Sequence, residues 1–595
     1  MENSEIDYKF DNNTINTGIN KKINFENVKV FILLASINWL SHFLYFKGFG
    51  LYEDDYANVG IFFGIDLPHL LKVISNRLTI WTEGHPLAFL PVLFLYISEL
   101  TGGFHFLYVI AFLIVTVNSF LVYKVLKKII PESYVLAIAG ALAFCLSPSD
   151  TTKLYLQHAF ILQMSIMFFL SATLLYLNNK KVLAYLTIIL SIFTYESPFM
   201  LFFGVPFLAG AWDKKFRKEY LKHFIILCLM IAAVFFYRKL TGESRALEAS
   251  GDSIGVITKI IVGVITGPLY NIFLYIRAPI FSLYHLIPRT DIYWWYYNYI
   301  YFILSGCFIL FLFIFYKLRS DYSLNSAINS FSEDDTHINK KEDKHIHDYF
   351  RKIIKLILAS VILLCLGYTV SFTHYIYIPM GRLTSVHLAA SVGGAFIFAC
   401  VCASIFFIAE KYKLKKYAVV IFSLYLTLLV GYNTYAQKEF VESWSYQKFF
   451  WSEVVRLSPD LQDGTVILSN IPEDKLLITR KFVYPFQNYW NRLMIKYLYR
   501  FPENWQMPFY QNISGNPEKD IYLNNKDLML KSEYFPPYAL KDSNVILIKM
   551  NADNNLVRID SSLTVNGKKL ILKPVGEKTV DNYRKTRLYH LLVNP

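Results

Sequence analysis

Three consecutive carboxylates, Glu53-Asp54-Asp55, followed by Tyr56, stand just past the first long apolar run of the chain. Adjacent carboxylates repel one another, and at a membrane boundary they are partly desolvated as well. Both effects raise the pKa of at least one of them, which suits general-base chemistry or metal binding. The same loop carries Asp66, His69, Arg77 and Glu83-Gly84-His85-Pro86-Leu87, then the apolar run 87–100. Polar, titratable groups thus alternate with apolar segments that would lie along a surface. That is how a site is built for a substrate with a polar head and a lipid tail. A second acid, Glu196 in Tyr195-Glu196-Ser197-Pro198, interrupts two apolar runs. An acid at membrane depth is costly enough to be a candidate substrate-binding group.

These groups need a membrane scaffold, and the composition supplies one. Of 595 residues, 54% are hydrophobic and 17% charged, against about 25% charged in an ordinary soluble protein. The formal net charge of +14 could point to nucleic acid. However, the basic residues fall in short clusters between apolar runs, without a basic face or nucleic-acid motif, so no nucleic-acid partner is expected. The six cysteines all lie within apolar runs and read as packing residues. Eleven runs are long enough for spans, at 28–46, 104–126, 134–147, 158–177, 182–195, 198–212, 222–237, 291–316, 353–371, 386–409 and 417–433. The positive-inside rule orients them. With residues 1–27 as a cytoplasmic tail, the inner loops hold 21 Lys and Arg in 66 residues and the outer ones 11 in 137. Residues 47–103 then form the first outer loop and 317–355 a mobile cytoplasmic linker. Everything after the last span is extracytoplasmic. Run 253–287 carries Pro268 and Pro279 and is expected as interfacial helices or a re-entrant pair, with zero or two crossings.

Beyond residue 435 the pattern changes to short β-branched stretches, 465–469, 544–549, 555–559 and 568–573, separated by Pro, Asn, Asp and Gly. The expected architecture is therefore an all-α polytopic membrane bundle over 28–435, of eleven to thirteen spans with amphipathic helices on its outer face. A C-terminal α/β or β-rich extracytoplasmic domain follows over 436–595.

The acidic motif Glu53-Asp54-Asp55-Tyr56 and the motif Gly84-His85-Pro86-Leu87 resemble the GT-C superfamily of polyprenyl-phosphate-sugar-dependent glycosyltransferases. These include the protein O-mannosyltransferases and the aminoarabinose transferases. In that superfamily an acidic pair follows the first span, and a Pro-Leu motif opens a membrane-parallel helix in the same loop. The chain departs from it in having an acidic triplet, and in carrying His85 where many relatives have Lys or Arg. The resemblance extends over residues 28–435 in topology and about 50–130 in motif.

The resemblance implies inverting sugar transfer from a polyprenyl-phosphate carrier to a hydroxyl of a glycan, lipid or protein acceptor, in a bacterial-type inner membrane. One carboxylate of the triplet would be the base, Asp55 being favoured, then Asp54, with Glu53 beside them. The lipid phosphate leaves with growing charge and needs a cation. Arg382 is the only Lys or Arg in segment 372–385, with His374 and His387 near it, and His85 is a further candidate. An arginine can take phosphate in a bidentate manner. Asp66, Arg277 and Arg289 are second-line substrate contacts. Mg²⁺ or Mn²⁺ on Asp54 and Asp55 is conceivable, though a lipid-monophosphate donor does not require a metal. The mechanism needs an outer Arg or His within about 15 Å of Asp54 and Asp55, around one bound head group. The competing functions are a lipid or oligosaccharide transporter or flippase, and an O-antigen-type polymerase or ligase.

Overall fold

The computed structural model describes residues 13–80, 84–209, 212, 214–241, 253–286, 294–321, 335–370, 381–472, 488–502, 504–506, 508–513, 517–524, 527–531, 537–576 and 586–593. Eight helices among them are long and apolar enough to cross a membrane, the character of an integral membrane protein. Four shorter apolar helices accompany them: Leu90–Thr101, Tyr134–Cys145, Lys181–Thr194 and Glu196–Leu208.

The helix contacts fix two ends of the bundle. At one end a cavity is lined by residues from Lys128 to Glu132, Tyr176 to Lys181, Pro206 to Ala209, Lys215 to Tyr220 and Asp348 to Leu356. A smaller cavity joins Ser133, Leu318, Tyr349, Phe406 and Lys415, and Tyr134 Oη donates to Glu26 at 2.8 Å. This is the basic end. At the other end His42 and Lys153 meet the Cys145 carbonyl, Arg238 meets Glu196, and Arg382 meets Glu53 and Asp54. Seven of the eight long apolar helices coincide with expected runs, and the eighth, Ile257–Leu286, falls on the run expected as interfacial or re-entrant.

The helix Ser253–Leu286 departs from the expected pair, because it is one continuous helix with Pro268 and Pro279 inside it. It is among the eight helices long and apolar enough to cross a membrane. Tyr270 lies 5.7 Å from the His387 ring and His285 lies 4.4 Å from the Tyr435 ring, both at the acidic end. Between them Tyr425 Oη donates to the Tyr275 carbonyl at 2.7 Å. Prolines are tolerated there because neighbouring side chains satisfy the freed backbone groups. Two further helices at this end, Leu67–Ile80 and Leu90–Thr101, correspond to the amphipathic helices expected in the first loop. Leu67, Leu71 and Leu78 of the former are exposed, an apolar face of the kind that lies in a lipid interface.

Two boundaries shift. The helix Asp335–Leu366 occupies much of the segment expected as a linker. The last bundle helix, Lys415–Leu457, is 43 residues long and runs past position 435 into the C-terminal domain. That domain is α/β. Its main sheet has the strand order Phe509–Asn512, Val466–Asn470, Val545–Met550, Leu556–Ile559, the first two pairings parallel and the last antiparallel. The central strands are buried on both faces, which explains their unbroken apolar runs. Val466, Leu468 and Val545 join a core with Leu528 and Leu570, while Ile467 and Ile546 join the bundle core with Phe450 and Trp451. The hairpin and edge strands at 521–530, 538–540 and 562–571 complete the domain.

Arg558 locks this domain beneath the long helix. Its guanidinium pairs with both oxygens of Asp460 at 2.6 and 3.0 Å and donates to the Leu457 carbonyl, with both side chains almost fully buried. Removing one partner of such a pair leaves an uncompensated buried charge. Asp460→Ala should therefore destabilise the domain by about 3 kcal/mol or more. The check is a thermal or urea melt of the purified chain, and an unchanged midpoint would contradict the pair's role.

Candidate active site

The turn Leu51–Asp54 leads into the short helix Asp55–Asn58, with Glu53 in the left-handed region at φ 46°. Such strain in a non-glycine residue persists only where the surroundings over-determine it, and here they do. Tyr52 is fully buried and its hydroxyl donates to the Phe440 carbonyl at 3.0 Å. Gly50 faces Trp444 so closely that a Cβ would lie 1.8 Å from the indole. Tyr56 Oη is bonded to Gln447. The acidic turn is therefore clamped against the extension of the last bundle helix.

The three carboxylates are used differently. Asp55 is fully buried. Its two oxygens accept the backbone N–H groups of Tyr52 at 3.1 Å and Gln157 at 2.8 Å. Asn58 adds a bond to the Gln157 side chain at 2.9 Å, so Asp55 and Asn58 together tie the turn to the helix Leu156–Phe160. Burial pushes the Asp55 carboxyl up to about 8, against the opposing effect of those amides. Glu53 and Asp54 instead share the Arg382 guanidinium, at 3.5 and 2.5 Å. The side chain of Asp54 is 13% exposed and that of Arg382 35%, against 6% for Glu53. Burial disfavours the charge on Arg382, but Asp54 and Glu53 outweigh it and hold the guanidinium charged.

Arg382 is presented by the turn-like helix Arg382–His387. Gly381 before it has φ 98°, a conformation that favours glycine. Its N–H donates to Thr151 Oγ1 at 2.9 Å, and Thr384 Oγ1 accepts from the Thr151 N–H at 3.1 Å. Thr151 belongs to a buried turn held from below. Asp150 accepts from the Thr152 N–H and hydroxyl at 2.8 and 2.6 Å. Lys153 Nζ donates to the Cys145 carbonyl at 2.6 Å and lies 3.1 Å from His42 Nε2.

A second charged cluster adjoins the first. Arg238 meets Glu196 Oε1 at 3.1 Å, the Gly84 carbonyl at 2.9 Å and His85 Nδ1 at 3.2 Å. His85 Nε2 lies 3.5 Å from Glu196, and its ring stacks on Tyr195 at 5.4 Å. Tyr195 also contributes, after Asp54 and Glu53, to holding Arg382 charged.

The expected site residues thus separate. Glu53, Asp54, Asp55 and Arg382 come together, and His85 and Glu196 form the neighbouring cluster. Asp66 is remote from the others in its bonding. It caps the helix Leu67–Ile80 through the His69 N–H at 2.9 Å and contacts the His69 ring at 2.6 Å. His387 is fully buried with Nδ1 2.6 Å from Tyr368 Oη, the arrangement of a packed histidine. Arg277 lies over the Phe281 ring. His374 and Arg289 lie outside the described residues. Among the described residues no group of three His, Cys, Asp or Glu is placed to hold a metal ion.

Arg238, Tyr155 and His158 were not singled out by the sequence patterns. Arg238 had one available signal, an Arg-Lys pair at the acidic end of a span, against the charge bias. His158 had none, because it sits at the start of an apolar run. Its ring stacks on Tyr155 at 5.2 Å, and its buried Nδ1 meets no hydrogen-bond partner. No protein-family model and no curated protein sequence matches the chain.

The raised Asp55 carboxyl has a testable consequence. Its folded-state pKa near 8 lies above the unfolded value of about 3.9. The folded state therefore holds a proton that the unfolded chain releases, and the contribution is lost as pH rises towards 8. Melting temperature should fall between about pH 4 and 8 in the native chain, and Asp55→Asn should flatten that slope. Parallel slopes in the two proteins would contradict the assignment.

Proposed function

We propose that the chain is a GT-C-type membrane glycosyltransferase that moves a sugar from a polyprenyl-phosphate carrier to an acceptor hydroxyl on the extracytoplasmic face. In this reading the N-terminus is cytoplasmic, the membrane is of the bacterial inner type, and the C-terminal domain stands outside it. The observation that carries the reading is the Arg382 guanidinium meeting Asp54 and Glu53 at the acidic end of the bundle. A carboxylate that can take a proton then stands beside a cation that can take a phosphate, at the level where a lipid head group would lie.

The two groups divide the work. Asp54 accepts the proton of the acceptor hydroxyl. The acceptor oxygen forms the new bond to the anomeric carbon from the face opposite the phosphate. The bond from that carbon to the phosphate oxygen breaks, and its electron pair stays on the lipid phosphate. Arg382 stabilises the charge that develops there. Asp54, more open than Glu53 and than the fully buried Asp55, is the favoured base. This reverses the preference for Asp55, whose proton and amide bonds suit a positioning residue. His85, Glu196 and Arg238 border the same region as substrate-orienting groups.

The test is sugar release by purified protein from a panel of radiolabelled polyprenyl-phosphate monosaccharides. Asp54→Asn and Arg382→Ala should each lower the rate by about 10²-fold or more with unchanged melting behaviour. Full activity in either folded variant would overturn the assignment. Failure of every donor, with vesicle assays detecting movement of the lipid instead, would favour the flippase.

A further inference from the structure

A cavity at the basic end lies outside the candidate active site. It has a volume of about 1220 Å³ and opens at the basic end. Six cationic side chains line it, Lys128, Lys181, Lys215, Arg351, Lys352 and Lys355, against three acids, Glu132, Glu219 and Asp348. Two of the acids are already matched, Glu219 with Lys181 at 2.9 Å and Glu132 with Lys352 at 2.6 Å. The lining thus holds three more cationic than acidic side chains. The cations come from four separate helices, Phe106–Ile129, Lys181–Thr194, Lys214–Leu240 and Asp335–Leu366. Basic residues that merely orient a span lie dispersed among head groups, whereas these converge on one concavity. Its wall is aromatic, with Phe207 and Tyr220 in ring contact at 5.0 Å. A cationic mouth over an apolar wall, at helix ends, matches a phosphodiester head group with its glycerol and acyl stem.

We propose that this cavity is a binding site for the phosphate of an anionic phospholipid from the leaflet at the basic end. It is independent of the acidic site and of the chemistry proposed there. The phosphate seats between Lys128, Lys215 and Arg351, and the acyl stem lies along Phe207 and Tyr220.

The experiment is native mass spectrometry of the full-length protein released from detergent, titrated with phosphatidylglycerol, cardiolipin, phosphatidylcholine or inorganic phosphate. The cavity variant K128Q/K215Q/R351Q alters exposed side chains, so it should fold. Its control, K411Q/K413Q/K416Q, removes the same charge from exposed positions at the same end but outside the cavity. The native chain and the control should retain an anionic lipid at concentrations at least about tenfold below phosphatidylcholine, and the cavity variant should lose that preference. Equal losses in both variants would mean diffuse surface charge and would overturn the site. So would equal binding of anionic and zwitterionic lipid. Saturable binding of inorganic phosphate without any lipid preference would overturn the lipid assignment and leave a free-phosphate site.

Discussion

The structure turns on one contact, a single guanidinium shared by two carboxylates at the end of a helical bundle. Withdrawing these charges from water is costly, and one arginine cannot neutralise two acids. Such a group is stable only when the backbone around it leaves no alternative. The neighbourhood meets that requirement from both sides. Arg382 is fixed by Gly381, Thr151 and Thr384, and the acidic turn is fixed by Asp55 and by Tyr52 against the last helix. An excess of negative charge beside a half-exposed arginine is also what makes the site responsive. In the proposed function an incoming phosphate would compete for Arg382 and release a carboxylate to act on a proton.

The C-terminal domain enters this account through the helix Lys415–Leu457. Its first half belongs to the bundle, its middle clamps the acidic turn through Phe440, Trp444 and Gln447, and Trp451 near its end shares the bundle core with Ile467 and Ile546 of the domain's central strands. The domain and the candidate site therefore share one rigid element. A disturbance at the Asp460–Arg558 lock lies at the foot of the helix that holds Tyr52.

Much of the scaffold was legible because hydrocarbon-length apolar runs carry an unambiguous signal. Seven of the eight long apolar helices coincide with expected runs, and the short apolar helices Tyr134–Cys145, Lys181–Thr194 and Glu196–Leu208 fall on others. Four strands coincide with the β-branched stretches, while 509–512 and 521–530 were too short and mixed to signal themselves. The helix Ser253–Leu286 illustrates the limit of composition. Its prolines read as breaks, yet tertiary contacts from Tyr425 and neighbouring rings carry the helix through them. At the site, charge at a membrane boundary pointed to Glu53 to Asp55 and to Arg382, which the fold brings together. What separated Asp54 from Asp55 was invisible in sequence, since it depends on backbone amides of Gln157 and Tyr52. His158 and Arg238 acquire meaning only from neighbours far along the chain.

The most direct test of the central claim is binding of unglycosylated polyprenyl phosphate to the purified protein. The account predicts saturable binding that weakens by about tenfold or more in Arg382→Ala. It also predicts that Asp54→Asn binds at least as tightly as the native chain, because removing that carboxylate frees the guanidinium. Equal binding by the native chain and Arg382→Ala, or weaker binding by a folded Asp54→Asn, would contradict it.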